Sequence, residues 1–109
     1  MNKQEQPVRR LYDLAYGRSG DKGDICNVSV IARSSEAYAE LKAKLTPERV
    51  KAHLASLVKG TVERFELDNI EAFNFVLHEA LDGGGTRSLR IDALGKSMAG
   101  ALLYMEWEE

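Results

Sequence analysis

Apolar residues change their spacing several times along the chain, and each change marks an element. Tyr12, Leu14 and Tyr16 occupy alternate positions of residues 11–16, the period of a half-buried strand, and Gly17 ends the run. Residues 18–24, Arg-Ser-Gly-Asp-Lys-Gly-Asp, offer no apolar position and read as a loop. Alternation resumes at Ile25, with Cys26, Val28, Val30 and Ala32 on one face and Asn27 and Ser29 on the other. Ser34 and Ser35 can cap a helix carrying Ala37, Tyr38, Leu41 and Leu45 at helical spacing. Thr46-Pro47-Glu48 starts a second helix: a capping Thr, a Pro where the missing N–H is not needed, and an acid at the positive end of the dipole. Its stripe is Val50, Leu54, Leu57 and Val58, and Lys59 with Gly60 stops it.

Residues 61–67 predict a strand with Phe65 and Leu67 toward the core. Asp68 and Glu71 have capping-box spacing ahead of Phe73, Val76, Leu77, Ala80 and Leu81, which predicts a helix over 70–81. Phe73, Phe75 and Leu77 also alternate, so a strand is the open alternative there. Gly83, Gly84 and Gly85 end this element, residues 88–92 alternate as a further strand, and residues 97–105 predict a last helix through Met98, Ala101, Leu102 and Met105. The end of that helix could instead extend as an edge strand. Helices placed between strands must pack on one face of a sheet, so the fold class is α+β: a two-layer α/β sandwich of about four strands, close to the ferredoxin-like arrangement. Residues 1–10 form a polar leader and residues 11–109 a single domain.

Composition narrows the function. A chain of 109 residues leaves no room for separate cofactor and substrate domains. Its 15 Lys and Arg against 17 Asp and Glu give a net charge of −2, which argues against a nucleic-acid partner. The N-terminal residues lack the apolar stretch of a secretion signal, no run is long enough to span a membrane, and a single cysteine cannot form an internal disulfide, so a cytoplasmic setting is expected.

The segment Arg18, Ser19, Gly20, Asp21, Lys22, Gly23, Asp24 interleaves glycines with two cations and two acids. Glycines permit close backbone approach, so its amides could cradle an anion with Arg18 and Lys22 adding charge. The structural alternative is a tight connection in which Asp21 and Asp24 bond turn amides. Two carboxylates do not make a metal site, and neither a metal nor a cofactor is expected. His53 reads as a packing residue beside its helical stripe, and His78 as a residue bordering a pocket. Cys26 reads as a small core residue. Gly83, Gly84, Gly85 and Arg87 form a second glycine-rich segment with more glycine than a helix stop needs. Trp107 and Tyr104 either pack on the domain or mark a subunit contact. No catalytic constellation is legible, and whether the chain is an enzyme stays open.

The run Tyr16 to Asp24, followed by Asn27-Val28 and Ala32-Arg33, resembles the signature of the small C-terminal domain of acyclic terpene utilisation proteins of the AtuA type. Phe73-Asn74-Phe75-Val76-Leu77, Ala80-Leu81, Gly83-Gly84-Gly85 and Arg87-Ser88-Leu89-Arg90 are similar to that family's second stretch. The resemblance implies a ferredoxin-like domain that usually follows a much larger one, in proteins linked to bacterial breakdown of citronellol- and geraniol-type compounds through acyl-CoA intermediates. It carries no established catalytic residue. Two expectations follow. One is an accessory domain that partners a separately encoded large chain or forms a homo-oligomer, through its sheet or C-terminal segment. The other is a small enzyme or ligand-binding protein holding an anionic small molecule with Arg18, Lys22 and Arg87. The candidate contacts to ligand or partner are residues 18–24, Asn27, His78, Gly83, Gly84, Gly85 and Arg87.

Overall fold

The computed structural model describes residues 9–22, 25–80 and 98–107. Its elements are a 3-10 turn at Leu11–Asp13, strands β1 (Ala15–Lys22) and β2 (Ile25–Ala32), and helices α1 (Ser35–Lys44) and α2 (Pro47–His53). Strand β3 (Val62–Leu67), a 3-10 turn at Asp68–Ile70, strand β4 (Ala72–Leu77) and helix α3 (Met98–Leu103) follow. The sheet order is β1-β2-β4-β3 with every neighbouring pair antiparallel. The three helices of the described residues lie on one face, and the core is the layer between them and the sheet: Val28, Val30, Phe73, Phe75 and Leu77 below, Leu41, Val50 and Leu102 above. This is the α+β, ferredoxin-like two-layer sandwich expected from the element order.

Local signals explain the helices. The Ser34 hydroxyl accepts from the Ala37 amide at 3.0 Å, and Thr46 accepts from Arg49 at 3.1 Å, each satisfying a donor with no partner inside the helix. Helix α2 ends at His53, earlier than its apolar stripe suggests, and Leu54, Leu57 and Val58 reach the core from the turn that follows.

Four expectations need correction. Residues 11–16 are not a strand: Leu11–Asp13 is a 3-10 turn, and the strand begins at Ala15. It then runs through the supposed loop as far as Lys22, paired residue by residue from Ala15 with Ala32 to Lys22 with Ile25. The cause is visible on its inner face. A Cβ on Gly17 would come within 2.9 Å of Leu103 Cδ1, and the Ser19 hydroxyl accepts from the Ala99 amide at 3.2 Å. Small residues stand where α3 crosses closely, so this strand shows no hydrophobic alternation.

The third correction concerns β3. Val62 and Arg64 face the helices, while Phe65 and Leu67 are 50% and 38% exposed on the opposite face. Arg64 stacks 5.0 Å from the Phe73 ring and donates to the carbonyls of Lys42 and Leu45 at 3.1 and 3.0 Å. Its stem covers apolar surface while its guanidinium satisfies the end of α1. Fourth, residues 72–77 are a strand and not part of a helix: Phe73, Phe75 and Leu77 are buried at period two between β2 and β3. The residues read as a capping box act elsewhere. Asp68 accepts from the Tyr38 hydroxyl at 2.5 Å and from Lys42 at 3.1 Å, and Glu71 accepts from Ser35 at 2.7 Å. The segment expected as a strand over 88–92 lies outside the described residues. Among the described residues, no helix is long and apolar enough to cross a membrane.

Candidate functional site

Alternation assigns half of each strand to the face away from the helices. Across β1, β2, β4 and β3 the register sets Tyr16, Ile31, Ala72 and Leu67 in one row. The next row is Arg18, Ser29, Asn74 and Phe65, and the third is Gly20, Asn27, Val76 and Glu63. No helix of the described residues covers this surface. It has an apolar end, where Tyr16 is 54% exposed, and a polar centre, where the Asn74 amide donates to Asn27 Oδ1 at 3.4 Å. Its two outer strands carry charge of opposite sign, Arg18 on β1 and Glu63 on β3.

Of the residues singled out from sequence, Arg18, Gly20, Asn27 and His78 meet on this open face. His78 Nε2 lies 3.6 Å from Glu63 Oε1 at its margin. A Cβ at Gly20 would meet nothing within 4 Å, so packing does not require glycine there. Ser19 departs from the group, turning inward to α3. Asp21 and Lys22 are placed at the end of β1 opposite Cys26 and Ile25. Gly23, Asp24, Gly83, Gly84, Gly85 and Arg87 lie outside the described residues. Glu63, Ser29 and Asn74 were not candidates. The signal for Asn74 was a polar residue caught between Phe73 and Phe75; Glu63 had none, because its face depends on how β3 pairs.

Other polar groups serve the fold. Cys26 is buried. His53 is exposed, with Nε2 2.9 Å from the Ala101 carbonyl, so it ties α2 to α3 rather than filling the core. Trp107 packs on its own domain: it is buried, donates from Nε1 to Glu40 at 2.7 Å, and lies 4.1 Å beneath the Arg49 guanidinium. Arg9 also pairs with Glu40 at 2.8 Å, and the Trp107 amide donates to the Arg9 carbonyl. Tyr104 stays exposed under Arg10 at 4.0 Å. A cleft of about 250 Å³ opens between Pro47, Lys51, Gly60 and Val62. The Lys51 ammonium beside it is already held by the carbonyls of Val58 and Gly60, at 2.8 and 2.6 Å.

Tyr38, Lys42 and Asp68 form the strongest electrostatic cluster. Burial, reinforced by the hydrogen bond to Asp68, pushes the Tyr38 phenol up to about 12. The same bond and the Lys42 ammonium hold Asp68 below its ordinary carboxyl value, and Asp68 raises Lys42. A phenol kept neutral in this way is a hydrogen-bond donor, not a base. Among the described residues, no group of three or more His, Cys, Asp or Glu side chains could hold a metal ion.

Comparison with curated proteins and with solved structures finds no match. The model of the AtuA ferredoxin-like domain family matches residues 9–108, spanning β1 with its glycines, the central strand β4 and helix α3. The chain therefore belongs to the AtuA ferredoxin-like domain family.

Proposed function

We propose that this chain is an accessory interaction domain that completes or partners a larger AtuA-type protein in bacterial catabolism of acyclic terpene- or acyl-CoA-type compounds. The observation that carries the reading is the two-sided sheet. Helices bury one face, while the other presents Tyr16, Phe65 and Leu67 to solvent around a polar centre. Exposed apolar and aromatic residues at both edges of a rigid sheet are the chemistry of a contact surface. The test is to mix the purified chain with a large AtuA-type chain and follow both by sedimentation velocity. A joint boundary that neither chain gives alone is the expected result, and two unchanged boundaries overturn the reading.

A second reading has one specific support. Arg18 is exposed on the open face beside Gly20 and Asn27, with no ion pair among the described residues. Such an arginine could hold the phosphate or carboxylate of an anionic small molecule. Thermal unfolding with added CoA thioester tests it: Tm rises for the wild type and stays fixed for Arg18→Ala. A wild-type Tm indifferent to the thioester removes this reading.

A further inference from the structure

We infer that the open sheet face is closed by a second copy of this chain, packed face to face about a twofold axis that runs along the strands between β2 and β4. The inference rests on reading the chain as an interaction domain and names the occupant of a sheet face that no helix of the described residues covers. A twofold contact must be self-complementary, since each patch meets its own copy. The charges decide which axis meets that condition. Arg18 lies on β1 and Glu63 on β3, at opposite edges of the sheet and one row apart.

An axis across the strands sets β1 on β1 and β3 on β3, so that arginine approaches arginine and glutamate approaches glutamate. An axis along the strands sets β1 on β3. Arg18 then stands over Phe65 of the partner subunit and one row from the partner's Glu63, while Tyr16 meets the partner's Leu67. A guanidinium above an aromatic ring and beside a carboxylate is favourable on both counts. In the middle rows Ser29 meets the partner's Asn74, and Asn27 the partner's Val76. The same operation puts Gly20 opposite the partner's Glu63, where the open space beside a glycine leaves room for a longer side chain.

Twisted sheets pack in this aligned manner about 10 Å apart. Four strands at roughly 4.8 Å spacing, with six paired residues at about 3.3 Å each, present about 400 Å² before side-chain relief. Over both subunits that is about 800 Å², below the range of stable interfaces, so the dimer is weak and forms and dissociates with concentration. A dimer this weak leaves the same face available to the larger chain, which competes with the second copy for it.

The test is sedimentation equilibrium on the full chain over a range of concentrations, with circular dichroism to verify folding. Wild type sediments as a monomer–dimer equilibrium. Arg18→Glu and Glu63→Arg each raise the dissociation constant by about tenfold or more, and the double variant R18E/E63R returns to within about threefold of wild type, because the two charges have exchanged places. Both positions are exposed, so the fold tolerates the changes. A wild type that remains monomeric at every concentration overturns the inference, as does a dimer that both single reversals leave unchanged, or a double variant no better than the singles. Mixing with the large AtuA-type chain separates the two proposals. A monomer that binds the large chain sinks the dimer and leaves the accessory reading standing, and a charge-swap-restored dimer that ignores the large chain does the reverse.

Discussion

Single residues in β1 carry opposite demands although they look alike in sequence. Gly17 faces α3, where a methyl group would press on the tip of the Leu103 side chain, which can shift to make room, so Gly17→Ala costs up to about 1 kcal/mol by overpacking. Gly20 faces open space, and Gly20→Ala leaves stability within about 0.5 kcal/mol of wild type. Urea denaturation of the two variants side by side checks this contrast. Tyr38 gives the clearest pH signature. Its folded value is raised from 10.0 to about 12, so its contribution is fully present below pH 10 and is lost as pH climbs through the folded value. Above pH 10.0 the unfolded chain releases this proton while the folded chain keeps it, which favours unfolding. The difference in ultraviolet titration between wild type and Tyr38→Phe isolates the phenol, with a midpoint near about 12 expected. A midpoint near 10 instead rules out the buried bond to Asp68. Burial of Cys26 and of Val28 was legible from alternation alone. The value of Tyr38 was not, because Asp68, 30 positions away, reaches it only in the folded chain.

At the scale of elements, the helix starts at Ser34 and Thr46 were read correctly because they depend on neighbours in sequence, while the capping box at Asp68 and Glu71 and the helical stripe over 70–81 were not. Ser34 and Thr46 each bond the amide three residues on, and Ser34→Ala is expected to cost about 0.5–2 kcal/mol, measured as a lower urea midpoint. Strands were harder. Residues 18–22 pair with β2 although none of them is apolar, since the backbone ladder holds them and the crossing of α3 meets only the small Gly17 and Ser19 on the inner side. Strand β4 carries both a helical and an alternating pattern, and its place between β2 and β3 decides for the strand. Phe75 is buried at the middle of that strand, and Phe75→Ala is expected to cost about 3–5 kcal/mol.

At the scale of the whole molecule, the sheet order leaves β2 and β4 bonded on both sides and β1 and β3 at the edges of the described sheet. Amide exchange should therefore be slowest in β2 and β4, at rates approaching those of global unfolding, with alternate amides of β1 and β3 exchanging sooner. Uniform rates across the four strands contradict this. The last described residue is part of the same unit: Trp107, Glu40, Arg9 and Arg49 close around one another from distant positions. Trp107→Phe keeps most of the ring and loses the bond to Glu40, a loss of about 1 kcal/mol visible in Tm. Helices and this clamp cover one face, and no helix of the described residues covers the other.

Fold class, the helix starts at Ser34 and Thr46, the buried side of β2 and the family were all legible in the order of the amino acids, since each is written in local spacing or in a contiguous motif. Folding in three dimensions was needed to show that residues 15–22 form a strand, that Arg64 rather than Phe65 turns to the core, and that Arg18 and Glu63 end on opposite edges of one face that no described helix covers. The reason is the same for all three. Which side of a strand is buried depends on what packs against it, and for β1 and β3 that is set by α3 and by the end of α1, at remote positions in the chain.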